Sequence, residues 1–149
     1  MAVQVAVLGH GDPFFAKLLD ALRRDRSLQE AMAQEADTYV AELENPTTRW
    51  SVVHDGARPL AWSAAVVEAD GTLRGISNFT VPELRGRGLW TWAYRERHEL
   101  VIRPHRGLAR TYLYPGPRRA HLADGWRPTG NEGWDNRTGQ HWAEFVREC

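Results

Sequence analysis

The chain reads as an α+β protein in one domain, with a mixed, largely antiparallel central sheet flanked by helices. Three observations predict this. Apolar residues recur at helical spacing near the N-terminus, three apolar runs in the middle are separated by Asp-Gly turns, and a glycine-bearing turn after the third run opens a further helix. Its 149 residues, 42% apolar and 26% charged, suffice for a single hydrophobic core and argue against disorder.

The elements follow in order. Residues 3–8 are a short apolar run closed by Gly9-His10-Gly11, read as an opening strand. Asp12-Pro13 starts a helix, with Phe14, Phe15, Leu18, Leu19 and Leu22 on one face. Ser27-Leu28-Gln29-Glu30 has capping-box spacing and starts a second helix. Its face is Leu28, Met32, Ala36, Tyr39, Val40 and Leu43, and Asn45-Pro46 closes it. Trp50–Val53, Leu60–Glu68 and Leu73 to about Val81 are strands, joined at Asp55-Gly56 and Asp70-Gly71 into an antiparallel meander. A helix runs from Leu89 to about Ile102 and stops at Arg103-Pro104. Arg110–Tyr114 is a further strand. Pro128, Gly130, Gly133, Asn136 and Gly139 are turn signals, and His141–Val146 is a final apolar stretch able to form a strand.

Composition excludes several classes. Basic and acidic residues balance at 19 each, which disfavours a protein that coats nucleic acid or an anionic membrane. The balance hides a division: residues 12–48 carry an acidic excess, and residues 85–127 are rich in arginine. Nucleic-acid binding through Arg85 to Arg127 lacks an aromatic-basic recognition motif. A lone cysteine, Cys149, excludes a disulfide framework, and His10, His54 and His141 lack metal-ligand spacing, so no metal is expected. No basic, apolar leader and no membrane span is present, so the expected location is the cytoplasm.

The stretch that carries chemistry is Val81-Pro-Glu-Leu-Arg-Gly-Arg-Gly-Leu-Trp90, where a strand passes through a turn into a helix. The first turn of a helix has unpaired N–H groups and the positive end of its dipole, so it attracts phosphate. Gly86 and Gly88 let the backbone approach a ligand, and Arg85 and Arg87 add charge. The expected ligand is an anionic cofactor that carries a pyrophosphate. No Gly-Lys-Ser/Thr follows, so this is not a P-loop, and the GxGxxG of a dinucleotide site is absent.

Val-Pro-x-x-Arg-Gly-Arg-Gly-Leu at 81–89 resembles the acyl-CoA-binding motif of the GNAT superfamily of N-acyltransferases, Gln/Arg-x-x-Gly-x-Gly/Ala. Downstream, Ala120-His-Leu-Ala-Asp-Gly-Trp126 is similar to that family's Leu-Tyr-x-x-x-Gly-Phe signature, in the correct order. The resemblance covers nearly the whole of residues 1–149 and implies one GNAT-like acyltransferase domain. It adds a short helix and a terminal strand pair to the elements above.

The resemblance also implies a reaction. An acetyl group would pass from acetyl-CoA, or another acyl-CoA, to a small-molecule or peptide amine by direct attack. Backbone N–H groups from Arg87 to Thr91, including Gly88, Leu89 and Trp90, would hold the pyrophosphate, with Arg85 and Gly86 beside it. Phe79, Thr80 and Val81 would pair with the pantetheine arm. The residue aligned with the family's thiolate-protonating tyrosine is His121, and Tyr114 could serve instead. The strand carries no general-base carboxylate. Candidates are water held by Ser77 or Asn78, or the carboxylates Glu68, Glu132 and Asp135. His98 and His105 are expected to be solvated. Trp50, Trp62, Trp92, Trp126 and Trp142 are expected in the core, and Trp134 is the aromatic candidate for the acceptor pocket. The alternative is a GNAT-like fold that binds acyl-CoA, or acts as an interaction module, without catalysing. Apolar terminal strands could pair between two subunits.

Overall fold

The computed structural model describes residues 2–35 and 40–148. Ala36 and Tyr39, assigned above to the second helix, and the terminal Cys149 lie outside the described residues. Among the described residues, one sheet of seven strands runs in the order β1-β2-β3-β4-β5-β7-β6. Its strands are β1 (Gln4–Leu8), β2 (Arg49–His54), β3 (Pro59–Val67), β4 (Leu73–Thr80), β5 (Leu108–Leu113), β6 (Arg127–Trp134) and β7 (His141–Glu148). All neighbours are antiparallel except β4 and β5. The predicted meander is therefore β2–β3–β4, with boundaries within about two residues of those read from the turns.

Helices α1 (Pro13–Arg24), α2 (Arg26–Ala33) and α3 (Val40–Leu43) cover one face. Phe15, Leu18, Leu22, Leu28 and Leu43 pack there on Trp50, Val52, Trp62 and Ile76, all almost fully buried. Each such side chain contributes roughly 1.5–3 kcal/mol by leaving water. α2 starts two residues earlier than the capping box predicts. The carboxylate of Asp25 accepts the N–H of Leu28 at 3.0 Å, and so takes the cap that Ser27 was expected to supply.

The other face carries α4 (Leu89–Arg97) and α5 (Arg118–Ala123). Ala93 of α4 sits on Val53 and Ala61, and the hydroxyl of Ser51 donates to the Ala93 carbonyl at 2.6 Å. The helical run does reach Ile102, but its last five residues, His98–Ile102, form a π turn in which Arg103 N–H bonds the His98 carbonyl at 2.9 Å. A second core of Leu73, Ile102, Leu113, Trp126 and Phe145 lies under β5 and β7.

β6 is a strand where residue types alone read turns. It is exposed along almost its whole length and lies at the sheet edge, where Pro128 needs no outward ladder partner. Gly133 is required by packing: a Cβ there would lie 2.8 Å from the Trp142 ring. Among the tryptophans, Trp50, Trp62 and Trp126 are fully buried as expected, whereas Trp92 is 37% exposed and does not belong to the core.

Candidate active site

The site begins with a break in the sheet. β4 and β5 run parallel but pair only at Leu73–Ala109, Arg74–Arg110 and Gly75–Thr111. Beyond Gly75 the strands separate, leaving the far half of β4 without a neighbour on that side. Two adjoining cavities of about 290 and 250 Å³ fill the resulting notch. Both are lined by Glu35, Asn78, Gly116 and Pro117. The first adds Phe79, Thr80, Arg85 and Trp90, and the second adds Tyr114, Pro115 and Gln140.

A β-bulge shapes the β4 wall. The register shifts between Ser63 and Ala64, so Ser77 is the extra residue, and it adopts φ +52°, rare for a side chain other than glycine. The indole N–H of the buried Trp62 donates to the Ser77 hydroxyl at 3.0 Å and fixes the bulge from the core side. Past the bulge the alternation of the strand decides which backbone groups face the notch. Val81, expected on the coenzyme edge, instead gives its N–H to Leu60 of the β3 side at 2.9 Å. By the period of two, Thr80 therefore faces the notch, and its carbonyl is met there by Arg85 Nε at 3.1 Å. Phe79 is 4% exposed and packs on Trp62, so its edge reaches the cavity while its ring belongs to the core.

From the mouth of the notch the chain enters the glycine turn. Gly86 and Gly88 have φ of +79° and +77°, and a Cβ at either would meet open space. Gly88 is the N-cap of α4 and offers no side chain to cap it, so the N–H groups of Leu89, Trp90 and Thr91 lack an intrahelical acceptor. A cavity of about 240 Å³ lies over this turn, lined by Thr80, Leu84 and Arg85 through Thr91. A pyrophosphate fits the donor set: oriented amides, the helix dipole and the arginines Arg85 and Arg87. Trp90 stacks on Tyr94 at 5.1 Å, and its indole N–H donates to Asn78 Oδ1 at 3.1 Å. The same oxygen accepts the Ser63 hydroxyl at 2.7 Å, so the indole forms part of the notch wall.

Tyr114 lies just past the end of β5, with its hydroxyl donating to Asp135 Oδ2 at 3.0 Å. Asp135 is held below the usual carboxylate range, chiefly by the backbone N–H of Thr138. Its other oxygen, Oδ1, caps the turn by accepting the N–H groups of Arg137 and Thr138.

His121 is not part of this arrangement. It is fully buried, with Nδ1 2.8 Å from the Pro117 carbonyl and Nε2 2.8 Å from Arg97 Nη2. A guanidinium can only donate, so Nε2 is the acceptor and Nδ1 carries the hydrogen. Burial first, and the Arg97 charge second, push its pKa down to about 3. The imidazole has both nitrogens engaged and lines neither cavity of the notch. The residue aligned with the family's tyrosine thus lies in α5 and is turned into the core.

His98 is buried rather than solvated, with its pKa lowered by burial. Glu68 pairs with Arg74 at 3.0 Å and Glu132 faces His141 at 3.6 Å. Trp134 is 68% exposed against His141 and lines neither lobe of the notch. Glu35, which the sequence reading did not single out, lines both lobes. Its only sequence signal is position, in the acidic N-terminal third.

No protein-family model matches the chain, and no curated protein matches it in sequence. Solved structures do. An aminoglycoside 6'-N-acetyltransferase complexed with coenzyme A is 11% identical, with a TM-score of 0.61 over 97% of this chain and 96% of that one. ElaA from Escherichia coli is 14% identical, with a TM-score of 0.68 over 99% and 100%. A GCN5-related N-acetyltransferase from Kribbella flavida is 14% identical, with a TM-score of 0.65 over 99% and 98%. Parted parallel strands, a bulged β4 and an uncapped helix after a glycine turn thus occur in a chain that superposes end to end on such enzymes: the protein has the fold of the GNAT acetyltransferases.

Proposed function

We propose that the chain is an N-acetyltransferase that passes an acyl group, acetyl in the simplest case, from acyl-CoA to an amine. One observation carries the reading: the notch between β4 and β5 is lined by the same residues, Thr80, Arg85 and Trp90, that line the cavity over the uncapped start of α4. An elongated ligand with a polyphosphate at one end and a thin arm fits both together. The bound thioester supplies the activated acyl group. The N–H groups of Leu89 to Thr91 hold the phosphates, with Arg85 and Arg87 adding charge. The notch-facing backbone of β4 at Asn78 and Thr80 pairs with the arm and orients the carbonyl.

An uncharged amine then forms the C–N bond as the C–S bond breaks. The nitrogen loses one proton to solvent or a base, and the departing sulfur gains one. Tyr114 takes the acid role that His121 was expected to fill, because Tyr114 lines the second lobe of the notch and His121 lines neither.

The test has two stages. Titration with acetyl-CoA should raise the melting temperature, by about 2.7 kcal/mol of stabilisation at a hundredfold excess over Kd. Release of free thiol is then followed with a panel of amines, peptides and aminoglycosides. Binding without thiol release on any acceptor would favour a non-catalytic acyl-CoA module, and no binding at millimolar concentration would end both readings.

A further inference from the structure

Arg85 makes three contacts at the mouth of the notch. Its Nε donates to the Thr80 carbonyl at 3.1 Å, its Nη2 to Glu35 Oε1 at 2.7 Å, and its guanidinium carbon sits 5.6 Å from the Phe79 ring centre. The first acceptor is the backbone group that a ligand arm along β4 needs. The second is the carboxylate shared by the two lobes. Glu35 is itself held from behind, because Arg137 of the β6–β7 turn donates to the carbonyls of Ala33 and Glu35 at 2.7 and 2.5 Å. The carboxylate is therefore anchored by its backbone and engaged at its tip by a residue of the phosphate-binding turn.

An exposed ion pair of this kind, with the side chains 48% and 31% exposed, holds weakly, and a pyrophosphate offers Arg85 more charge than one carboxylate does. We infer that Glu35 recognises the acceptor through an ammonium group other than the amine that is acylated, and that Arg85 masks it until the phosphates of the coenzyme draw the guanidinium away. This rests on the acyl-transfer reading above. Coenzyme binding frees the Thr80 carbonyl for the arm and the Glu35 carboxylate for the acceptor in one movement, so the acceptor lobe becomes anionic only when the acyl donor is present.

Calorimetric titration of the full chain with coenzyme A, in wild type, Glu35→Gln, Arg85→Ala and the double variant, tests the mask. Glu35→Gln should tighten coenzyme binding about threefold, and the same change in the Arg85→Ala background should do nothing. The probe for the acceptor is 1,4-diaminobutane, with 1,4-butanediol as the uncharged control. The diamine should bind the coenzyme-saturated protein at least tenfold more tightly than the free protein, and Glu35→Gln should remove that gain. Arg85→Ala should let the diamine bind without coenzyme. Unchanged or weaker coenzyme binding in Glu35→Gln overturns the mask, and diamine binding that is absent or indifferent to Glu35 overturns the recognition role. Either failure, with wild type still binding coenzyme A, leaves the acyl-transfer reading standing. Loss of coenzyme binding in wild type removes both.

Discussion

Arg97 and His121 meet in the protein interior, Nη2 to Nε2 at 2.8 Å, with neither residue exposed to solvent. Arg97 also donates from Nη1 to the Ala64 carbonyl at 3.1 Å, so one guanidinium joins α4, β3 and α5. His121 faces Tyr94 and Trp126 as well, at 4.9 and 5.3 Å between ring centres. These contacts make the histidine a structural acceptor for a buried cation.

His121→Phe should therefore destabilise the fold. It leaves a guanidinium donor in the core without its imidazole acceptor, which costs roughly 1–3 kcal/mol. His121→Gln, which keeps an acceptor, should cost less. Urea denaturation of the two variants checks the order, and equal midpoints would contradict it.

The depressed pKa of His121 also predicts a pH dependence. The unfolded chain takes up the proton near 6.5, and the folded chain resists until about 3. The unfolded state binds more protons between those values, so stability falls as pH falls through that window. His54 and His98 are shifted in the same direction by burial and contribute to the loss. Melting curves from pH 7 to 4 should show a smaller decline in His121→Gln than in wild type.

Gly75→Ala should disturb the last paired rung before β4 and β5 part. A Cβ there would lie 2.9 Å from Arg97 Nη1 and 3.1 Å from Thr111 Oγ1. Arg97 is buried and bonded to Ala64 and His121, so moving its guanidinium aside strains those bonds, and overpacking of roughly 1–3 kcal/mol is expected. Thermal melting checks it, and coenzyme affinity in the same variant reports whether the notch moved.

Gly88→Ala places a side chain at φ +77° on the N-cap of α4. The expected cost is about 1–2 kcal/mol of backbone strain. Weaker coenzyme A binding should accompany it as the first-turn amides shift, measured by calorimetry.

Tyr114→Phe removes the hydroxyl that donates to Asp135. If it is the acid, thiol release at saturating substrates should fall about a hundredfold or more, with coenzyme affinity little changed. Equal turnover in the two proteins would exclude the role.

The sequence was most informative where a signal is local. Helical spacing, Asp-Gly turns and the strand–turn–helix passage around Gly86 and Gly88 each depend on a few neighbouring residues, and the meander and α4 appear where those signals put them. β6 escaped because Pro128, Gly130 and Gly133 are turn formers by type, and only pairing to β7 and the close approach of Trp142 make them a strand. Glu35 escaped for a similar reason: nothing in its neighbours marks it, and it reaches the notch only through the packing of α2 and the grip of Arg137.

The sequence alone thus determined the fold class and the glycine turn that opens α4, since both follow from periodicity and from backbone freedom at glycine. The tertiary structure decided which side chains the notch contains. It buried His121 under Arg97, turned Val81 toward β3, and brought Tyr114, just past β5, and Glu35, just past α2, to the same lobe. The physical reason is that burial, desolvation and cross-strand register are properties of the assembled sheet, and no short stretch of sequence contains them.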